Sequence, residues 1–496
     1  MAKKTFYITT AIDYVNAEPH IGHAFEKTIA DALARFHRLH GEKVFFLTGT
    51  DENAPKNAQA AKEANKPIKE FVDANSKIFI SLCKKLNISY DRFIRTTEEE
   101  HIKKAQELFQ IAYDNGDIYK GKYEGYYCTG CEEYKTEKDL VNGKCPEHDE
   151  VKWISEETYF FKLSKYEEQV REFIRTYIVP KKRRNEILSR LKNEDLKDLS
   201  VTREKIMDWG INSPIDDNHK IYVWFDALIN YISGSNKNWP ATVHVIGKGI
   251  NWFHSVIWPA MLFSTKQKLP KTLLVHGYLN LKGEKISKSK GNIINPIQLI
   301  EKYGSDPVRY SLLRCSIFDD SDYSEEILIQ RNNSELANKL GNLISRVSTL
   351  AEKYGLEESK ITTLDSKETI RKVKIHFEKF ELDKALNEIF AFIDKCNEFI
   401  QNKKPWETKD NENSKNSRVP DFHETSNKKV LYELANAIKD FTILLSPFIP
   451  ETCEKISKTF NFKLQWKDLE KPLRIGKIKK SEILFRKVEN CSERLK

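Results

Sequence analysis

The sequence predicts an α/β fold in which a parallel sheet is interrupted by a long insertion and followed by a bundle of helices. Three observations support this prediction. Residues 4–48 alternate strand, helix and strand, a second α/β stretch begins only near residue 220, and most of the last third carries apolar residues at helical spacing. The chain has 496 residues, enough for about three domains.

The first part of the predicted sheet lies at the N-terminus. Residues 4–11 (KTFYITTA) form a buried strand, residues 21–36 carry apolar side chains at helical spacing, and residues 43–48 (KVFFLT) form the next strand. This order implies parallel strands. Ligands bind beyond the carboxyl ends of such strands. The segments HIGH (20–23) and GTDENAPK (49–56) fall at that edge.

The rest of the sheet follows after a gap. The alternation stops near residue 115, and an insertion of roughly a hundred residues splits the sheet. The pattern then predicts strands at 220–226, 242–247 and 272–276 and a helix at 250–264. After residue 290 it is helical, apart from a polar stretch at 403–429 that predicts a solvated loop; residues 430–458 are helical again.

Composition narrows the class of protein. The chain carries 82 basic and 73 acidic residues, a net charge of +9, which is a weak indication of a polyanionic partner. Its eight cysteines are too scattered for a disulfide scaffold and predict a reducing, cytoplasmic compartment. We expect neither a signal peptide nor membrane association, because no apolar run approaches the ~20 residues of a membrane span.

Three cysteines cluster with a histidine in the insertion. Cys128-x-x-Cys131 and Cys145-x-x-His148 are two close pairs that can converge on one tetrahedral ion. Three thiolates and one imidazole suit Zn²⁺, and four protein ligands leave no open position, so one structural zinc is predicted. The alternative is chance clustering, which the repeated pair spacing disfavours.

The segments HIGH and KISKS (285–289) have the chemistry of phosphate binding. His20 and His23 lie three apart on a first helical turn, where N–H groups and the helix dipole attract anions, and Gly22 lets a flat base approach. Lys285 and Lys288 are movable cations that can neutralise charge on a transferring phosphate. Either segment alone is more often plain solvated surface. Both together, at opposite ends of a split α/β domain, are far more specific.

These two segments resemble the signature of class I aminoacyl-tRNA synthetases, with Ile286 where Met is usual. Over essentially the whole chain the sequence resembles the methionyl-tRNA synthetases. The matching blocks are TTAIDYVNAEPHIGH, TGTDENAPK, MDWGINSP, YVWFDALINY, HVIGKGINWFHSVIWPAML, VHGYLNLKGEKISKSKGN and GSDPVRYSLLR. The resemblance implies a Rossmann-type catalytic domain, split by a zinc-binding connective insertion, and an all-α anticodon-binding bundle.

The resemblance also implies an activity and its residues. Methionine is activated by ATP, accompanied by Mg²⁺, to methionyl-adenylate and then passed to tRNA(Met), including the initiator. His20, Gly22, His23, Lys285 and Lys288 are the implied catalytic residues, and Ile21, Ile286, Ser287 and Ser289 complete the implied ATP site. The implied methionine site comprises Ile12, Tyr14, Asp51 (for the ammonium), Trp224, Ala227, Leu228, Tyr231, Ile250 and His254. Asn397 and Trp466 are the implied anticodon readers.

The expected domain boundaries follow from the pattern and the resemblance together. They are 1–115 and 220–277 for the two halves of the catalytic domain, 116–219 for the insertion, 278–335 for the KISKS loop and stem-contact region, 336–478 for the anticodon-binding domain and 479–496 for a tail that packs back. We expect a monomer, because the extra C-terminal module of many dimeric relatives is not in the sequence.

Three departures and three alternatives remain open. Asp13, Asn53-Ala54 and Gly249 differ from the usual residues of the family and leave details of amino-group and ribose recognition undecided. The alternatives are a class I synthetase for cysteine, leucine or valine, a tRNA-binding relative without catalysis, and a nucleotidyltransferase with no RNA substrate. An insertion of roughly a hundred residues is too small for the editing insertion of the leucine and valine enzymes, and the clustered cysteines lie far along that insertion, not near HIGH as in a cysteine enzyme. The intact HIGH and KISKS argue against a relative without catalysis, and the long helical region argues against a nucleotidyltransferase.

Overall fold

The computed structural model describes residues 5–128, 133–135, 137–146, 151–204, 209–281, 283–285, 294–361, 363–407 and 422–489. The chain divides into two compact units. The first comprises Met1–Ala30, Val44–Lys84 and Ile88–His276, and the second comprises Asp31–Lys43, Lys85–Asn87 and Gly277–Lys496. Within the described part of the chain, no helix is both long and apolar enough to span a bilayer.

The first unit contains strands and helices in alternation. Its strands are β1 (Phe6–Tyr14), β2 (Val44–Asp51), β3 (Arg92–Arg95), β4 (Ile118–Cys128), β5 (Glu133–Lys135), β6 (Lys152–Phe161), β7 (Ile178–Val179), β8 (Leu199–Ser200), β9 (Thr202–Glu204), β10 (His219–Ile221), β11 (Val243–Gly247) and β12 (Thr272–His276). Its helices are α1 (Ile21–Leu39), which continues into the second unit, α2 (Pro55–Glu63), α3 (Ile68–Lys85), α4 (Glu99–Asp114), α5 (Glu167–Tyr177), α6 (Lys181–Asn193), α7 (Val223–Ala227), α8 (Asn230–Ser233) and α9 (Trp258–Ser264).

The central sheet joins strands from both ends of the first unit. Its order is β3-β2-β1-β11-β12-β7, and all neighbours are parallel. Ile8 of β1 lies opposite Phe46 on one side and Val243 on the other. Because β1 is mostly buried, both faces of this strand are covered, as in other α/β proteins. The predicted parallel sheet, split by an insertion, is confirmed.

The insertion forms a separate antiparallel sheet of order β5-β4-β6-β8. Its longest pairing runs from Ile118 opposite Phe161 to Tyr127 opposite Lys152. The insertion also sends β7 to the edge of the central sheet, beside β12. The sequence did not predict β7, since two residues are too few to show a strand period.

Two predicted elements near the pocket described below differ from the structure. Residues 220–226 were predicted as one strand, but β10 ends at Ile221 and α7 begins at Val223. A short apolar run does not distinguish a strand from a buried helix, which explains the error. The predicted helix at 250–264 is helical, with a π-helical stretch at Phe253–Ile257 before α9.

The second unit is mainly helical, as predicted. Its helices are α10 (Pro296–Tyr303), α11 (Ser305–Leu313), α12 (Glu325–Arg331), a π-helix at Asn332–Gly341, α13 (Asn342–Tyr354), α14 (Lys367–Glu378), α15 (Leu382–Lys403), α16 (Phe422–Leu445) and α17 (Pro450–Thr459), and its three-stranded sheet contains β13 (Leu279–Leu281), β14 (Glu284–Lys285) and β15 (Ser321–Asp322). The predicted loop at 403–429 is wrong at its C-terminal end, because residues 422–429 belong to α16; a polar helix and a polar loop share one composition. Residues 408–421 lie outside the described part.

A buried arginine organises the bend between α16 and α17. The guanidinium of Arg309 donates to the carbonyls of Leu86, Pro447 and Phe448, each at 3.0 Å, and pairs with Asp31 at 2.7 Å. All its partners belong to the second unit. The Pro447 and Phe448 carbonyls at the bend therefore have a donor.

Candidate active site

The candidate site lies at the carboxyl ends of β1 and β2. Tyr14, the last residue of β1, is opposite Asp51, the last residue of β2. A small pocket opens there. It is the edge at which parallel sheets bind ligands.

All nine residues predicted to bind methionine line this one pocket: Ile12, Tyr14, Asp51, Trp224, Ala227, Leu228, Tyr231, Ile250 and His254. Two further lining residues, Ala11 and Asn230, were not predicted. The amide nitrogen of Asn230 donates to the carbonyl of Ala227 at 2.6 Å. Asn230 could have been predicted from the sequence, because it lies three residues after Ala227 and such residues share one face of a helix.

One end of the pocket is a buried tyrosine–histidine pair. Nδ1 of His254 lies 3.0 Å from the carbonyl of Ile250, which only accepts, so this nitrogen carries the proton. Nε2 then accepts from the hydroxyl of Tyr231 at 2.7 Å. Burial lowers the pKa of His254 to about 4. The imidazole is therefore neutral at pH 7.

The pocket wall is aromatic. The indole of Trp224 stacks on Phe253 with 3.8 Å between ring centroids and meets the ring of Tyr14 edge-on at 6.5 Å. Nζ of Lys56 lies 3.1 Å from the centre of the Tyr14 ring. Aromatic surface of this kind binds a thioether well. Phe253 and Lys56 were not predicted, although both lie in the conspicuous blocks WFHSV and GTDENAPK.

Asp51 is the acidic group of the pocket. It is only 3% exposed. Its backbone carbonyl accepts from the side-chain amide of Asn57 at 3.0 Å, which ties the end of β2 to α2. A buried carboxylate facing a small apolar pocket suits a cationic ligand group, such as an ammonium.

The HIGH segment begins α1 with two stacked imidazoles. The rings of His20 and His23 lie 3.8 Å apart. Nδ1 of His20 accepts from the N–H of Gly22, and Nδ1 of His23 accepts from the N–H of His20, each at 3.0 Å. Each neutral ring therefore carries its proton on Nε2 and can donate it. Burial, followed by the charge of Lys27, lowers the pKa of His23.

Two other residues of this segment are constrained by packing. Ile21 is fully buried in the core, so its side chain is not available to a ligand. A Cβ added to Gly22 would lie 2.8 Å from Cε1 of His20. A side chain at position 22 would therefore displace the His20 ring from its place over the first turn.

Several predicted residues lie wholly or partly outside the described residues. Lys285 ends β14, but its side chain is not described, and Ile286, Ser287, Lys288 and Ser289 lie outside. Among the predicted zinc ligands, Cys128 and Cys145 are buried at 0% and 2% exposure, while Cys131 and His148 lie outside. The described residues alone contain no group of three or more side chains that could hold a metal ion.

The two predicted anticodon residues contact different parts of the second unit. The amide nitrogen of Asn397, on α15, donates to the carbonyls of Lys339 and Ile393 at 3.2 and 3.1 Å. The ring of Trp466 stacks on His40, with centroids 3.8 Å apart. One face of the indole is therefore covered.

A buried polar chain beneath the pocket was missed by the sequence analysis. Asp226 accepts from the amide of Asn53 at 2.8 Å and from Nε2 of His101 at 2.5 Å, and Nδ1 of His101 lies 2.8 Å from the hydroxyl of Ser233. These contacts tie the segment after β2 to α4, α7 and α8. Asn53, one of the departures from the family, thus has a defined partner.

Two family models match the chain. The model described as "tRNA synthetases class I (M)" matches residues 6–153 and 139–348, and the model described as "Anticodon-binding domain of tRNA ligase" matches residues 365–495. With the split parallel sheet and the helical region that follows it, these matches define a class I tRNA synthetase.

Similar proteins narrow the class. The methionine–tRNA ligase of Caldanaerobacter subterraneus subsp. tengcongensis is 42% identical over 98% of this chain and 79% of its own. The methionine–tRNA ligase of Thermotoga maritima is 42% identical over 92% of this chain and 75% of its own. The structure of Mycobacterium tuberculosis methionyl-tRNA synthetase with methionyl-adenylate has a TM-score of 0.90 at 35% identity, covering 97% of this chain and 99% of that one. The chain belongs to the methionine–tRNA ligase family.

Proposed function

We propose that this chain joins L-methionine to ATP, releasing pyrophosphate, and passes the methionyl group of the adenylate to the 3′ end of tRNA(Met), including the initiator, for protein synthesis. One observation carries the proposal. All nine predicted methionine-site residues line one pocket at the carboxyl edge of β1 and β2, and the HIGH segment begins the helix that follows β1.

The pocket residues bind and orient methionine. The side chain lies among Trp224, Leu228 and Tyr231, and the Asp51 carboxylate holds the ammonium. The methionine carboxylate is then the nucleophile that attacks the α-phosphate, so no protein nucleophile is needed. Catalysis consists of positioning and charge stabilisation.

The ATP side of the reaction uses donors and cations. His20 and His23 offer their Nε2–H groups to phosphate oxygens, while Gly22 and Ile21 present the first turn of α1 to the nucleotide. Lys285 and Lys288, with Ile286, Ser287 and Ser289 as the rest of the loop, neutralise charge on the departing pyrophosphate. ATP enters as its Mg²⁺ complex.

We also propose one structural zinc in the insertion. Cys128 and Cys145 are buried at 0% and 2% exposure, as metal thiolates require, and with Cys131 and His148 they make a tetrahedral donor set. The ion would hold the end of β4 to the segment that contains Cys145 and take no part in catalysis. Metal analysis of the purified protein should give one zinc per chain, and Cys128→Ser should lose it without losing methionine activation outright.

The helical region is proposed to read the anticodon, with Asn397 and Trp466 as contacts. Trp466 is partly exposed, and an indole suits stacking of an unpaired base. The boundaries given above for the domains, the monomeric state and the cytoplasmic location stay predictions. Transcripts with altered anticodons test this part, because they should lose charging while methionine activation is unchanged.

The decisive experiment is ATP–pyrophosphate exchange with each amino acid in turn. Methionine must give the strongest signal. A stronger signal with cysteine, leucine or valine would contradict the proposal. Lys288→Ala is the matched catalytic variant: unchanged exchange would rule out the proposed role of the KISKS loop.

A further inference from the structure

A buried ion pair lies beside HIGH. Lys27, one turn along α1 from His23, is fully buried, and its Nζ lies 2.5 Å from Oδ2 of Asp13. Asp13 precedes the last residue of β1, between the pocket residues Ile12 and Tyr14. Replacing such a pair by apolar side chains is often neutral or stabilising in proteins. Stability alone therefore does not account for two charges at this position.

The other oxygen of the same carboxylate faces His23. Oδ1 of Asp13 lies 3.9 Å from Nε2 of His23. This is the nitrogen that carries the proton, because Nδ1 accepts from the N–H of His20. A carboxylate without its counter-ion at this distance would attract the Nε2–H and repel a phosphate.

Lys27 is placed to cancel that charge. Among the described residues, Lys27 is the cation that pairs with Asp13, whereas His23 is neutral. The neighbouring acid Glu26 contacts His276 at 3.2 Å and also acts electrostatically on Lys27. The Lys27 ammonium makes its direct contact with the Asp13 carboxylate, at 2.5 Å.

We propose that Asp13 and Lys27 act as one positioning unit, in which Lys27 neutralises the carboxylate so that His23 directs its Nε2–H to the triphosphate. Neither residue touches substrate in this arrangement. They act through His23, and the inference rests on the proposed function of the HIGH segment. The pair matters for ATP and not for the methionine side chain.

The test is a double-variant cycle in ATP–pyrophosphate exchange, with ATP varied at saturating methionine and methionine varied at saturating ATP. Lys27→Met should raise KM for ATP by about tenfold, because it leaves an uncompensated carboxylate beside the phosphates, while KM for methionine stays the same. Asp13→Asn combined with Lys27→Met should bring KM for ATP back to within about threefold of the parent value, since no charge is then left unpaired. If Lys27→Met does not fold, Lys27→Gln replaces it in the same measurements.

A matched control separates this role from general stabilisation. Lys439 and Asp440 are a comparably buried pair in the second unit, 3.0 Å apart. Lys439→Met should lower the melting temperature without changing KM for ATP. An unchanged KM in both Lys27 variants, or losses that simply add in the double variant, would overturn the inference. Absence of methionine-dependent exchange in the parent protein would instead overturn the proposed function.

Discussion

The two halves of the candidate site, which share one edge of the central sheet, manage burial in different ways. In the methionine pocket, the buried His254–Tyr231 pair is neutral: His254 donates to a carbonyl and accepts from the hydroxyl of Tyr231. The start of α1 instead retains charge, with Asp13 and Lys27 paired under His23. An apolar ligand needs shape and satisfied hydrogen bonds, whereas a polyanion needs controlled charge.

This contrast predicts separable phenotypes. Changes to shape or hydrogen bonding in the pocket should alter kinetic constants for methionine. Changes at the start of α1 should alter those for ATP. The following predictions test the separation, from the largest effect on activity to the smallest.

Asp51→Asn should reduce kcat/KM for methionine by about a hundredfold or more, because the substrate ammonium loses its only proposed counter-charge. KM for ATP should change little. Exchange kinetics measure both. Asp198→Asn, which removes a carboxylate that accepts from Tyr119 in the insertion, is the control and should leave both constants near those of the parent. A loss confined to ATP would contradict the role of Asp51.

Gly22→Ala should raise KM for ATP on the order of tenfold, because the new methyl group displaces the His20 ring. Stability should hold or rise, since alanine is the better helix residue by about 1 kcal/mol. Gly41→Ala should have the opposite effects. Gly41 has a φ of +75° and open space around it, so the substitution should lower the melting temperature and leave KM for ATP unchanged. Equal kinetic effects of both substitutions would contradict this account.

Tyr231→Phe should raise KM for methionine about fivefold, because Nε2 of His254 loses its donor at a cost of about 1 kcal/mol. The ring and its packing are retained. Tyr7→Phe is the matched control, since this buried hydroxyl donates to the carbonyl of Tyr231 at 2.7 Å outside the pocket. It should cost stability alone. If KM for methionine rises equally in both variants, the pocket hydrogen bond is not the cause.

His254 should make stability depend on pH with little effect on activity at neutral pH. Its folded pKa of about 4 lies below the ordinary histidine value of 6.5, so between these values the unfolded chain binds a proton that the folded chain does not. Stability therefore falls as pH drops from 6.5 to 4, by up to about 3 kcal/mol. The free energy of unfolding, measured with denaturant at several pH values, should fall more steeply with decreasing pH in the parent than in His254→Gln. Parallel curves would show that this imidazole is not the source.

The sequence was informative where a pattern is local. Strand and helix periods located β1, α1 and β2. The three-residue spacing of His20 and His23 placed both imidazoles on one helical turn. The family resemblance supplied the pocket residues, all of which the structure brings together. The predicted strand at 220–226 is wrong after Ile221, and the predicted loop at 403–429 is wrong from Phe422 onward. Composition over a few residues does not distinguish a buried helix from a strand, or a polar helix from a loop.

The chain by itself determined the split parallel sheet and the helical last third and supplied the candidates for the reacting groups, because periodicity and side-chain chemistry are properties of neighbouring residues. Only the tertiary structure decided that Lys27 pairs with Asp13, that Asn53 and His101 meet on Asp226, and that the His20 ring occupies the space above Gly22. Each of these depends on the orientation of side chains that different elements bring together, and such orientations leave no trace in sequence spacing.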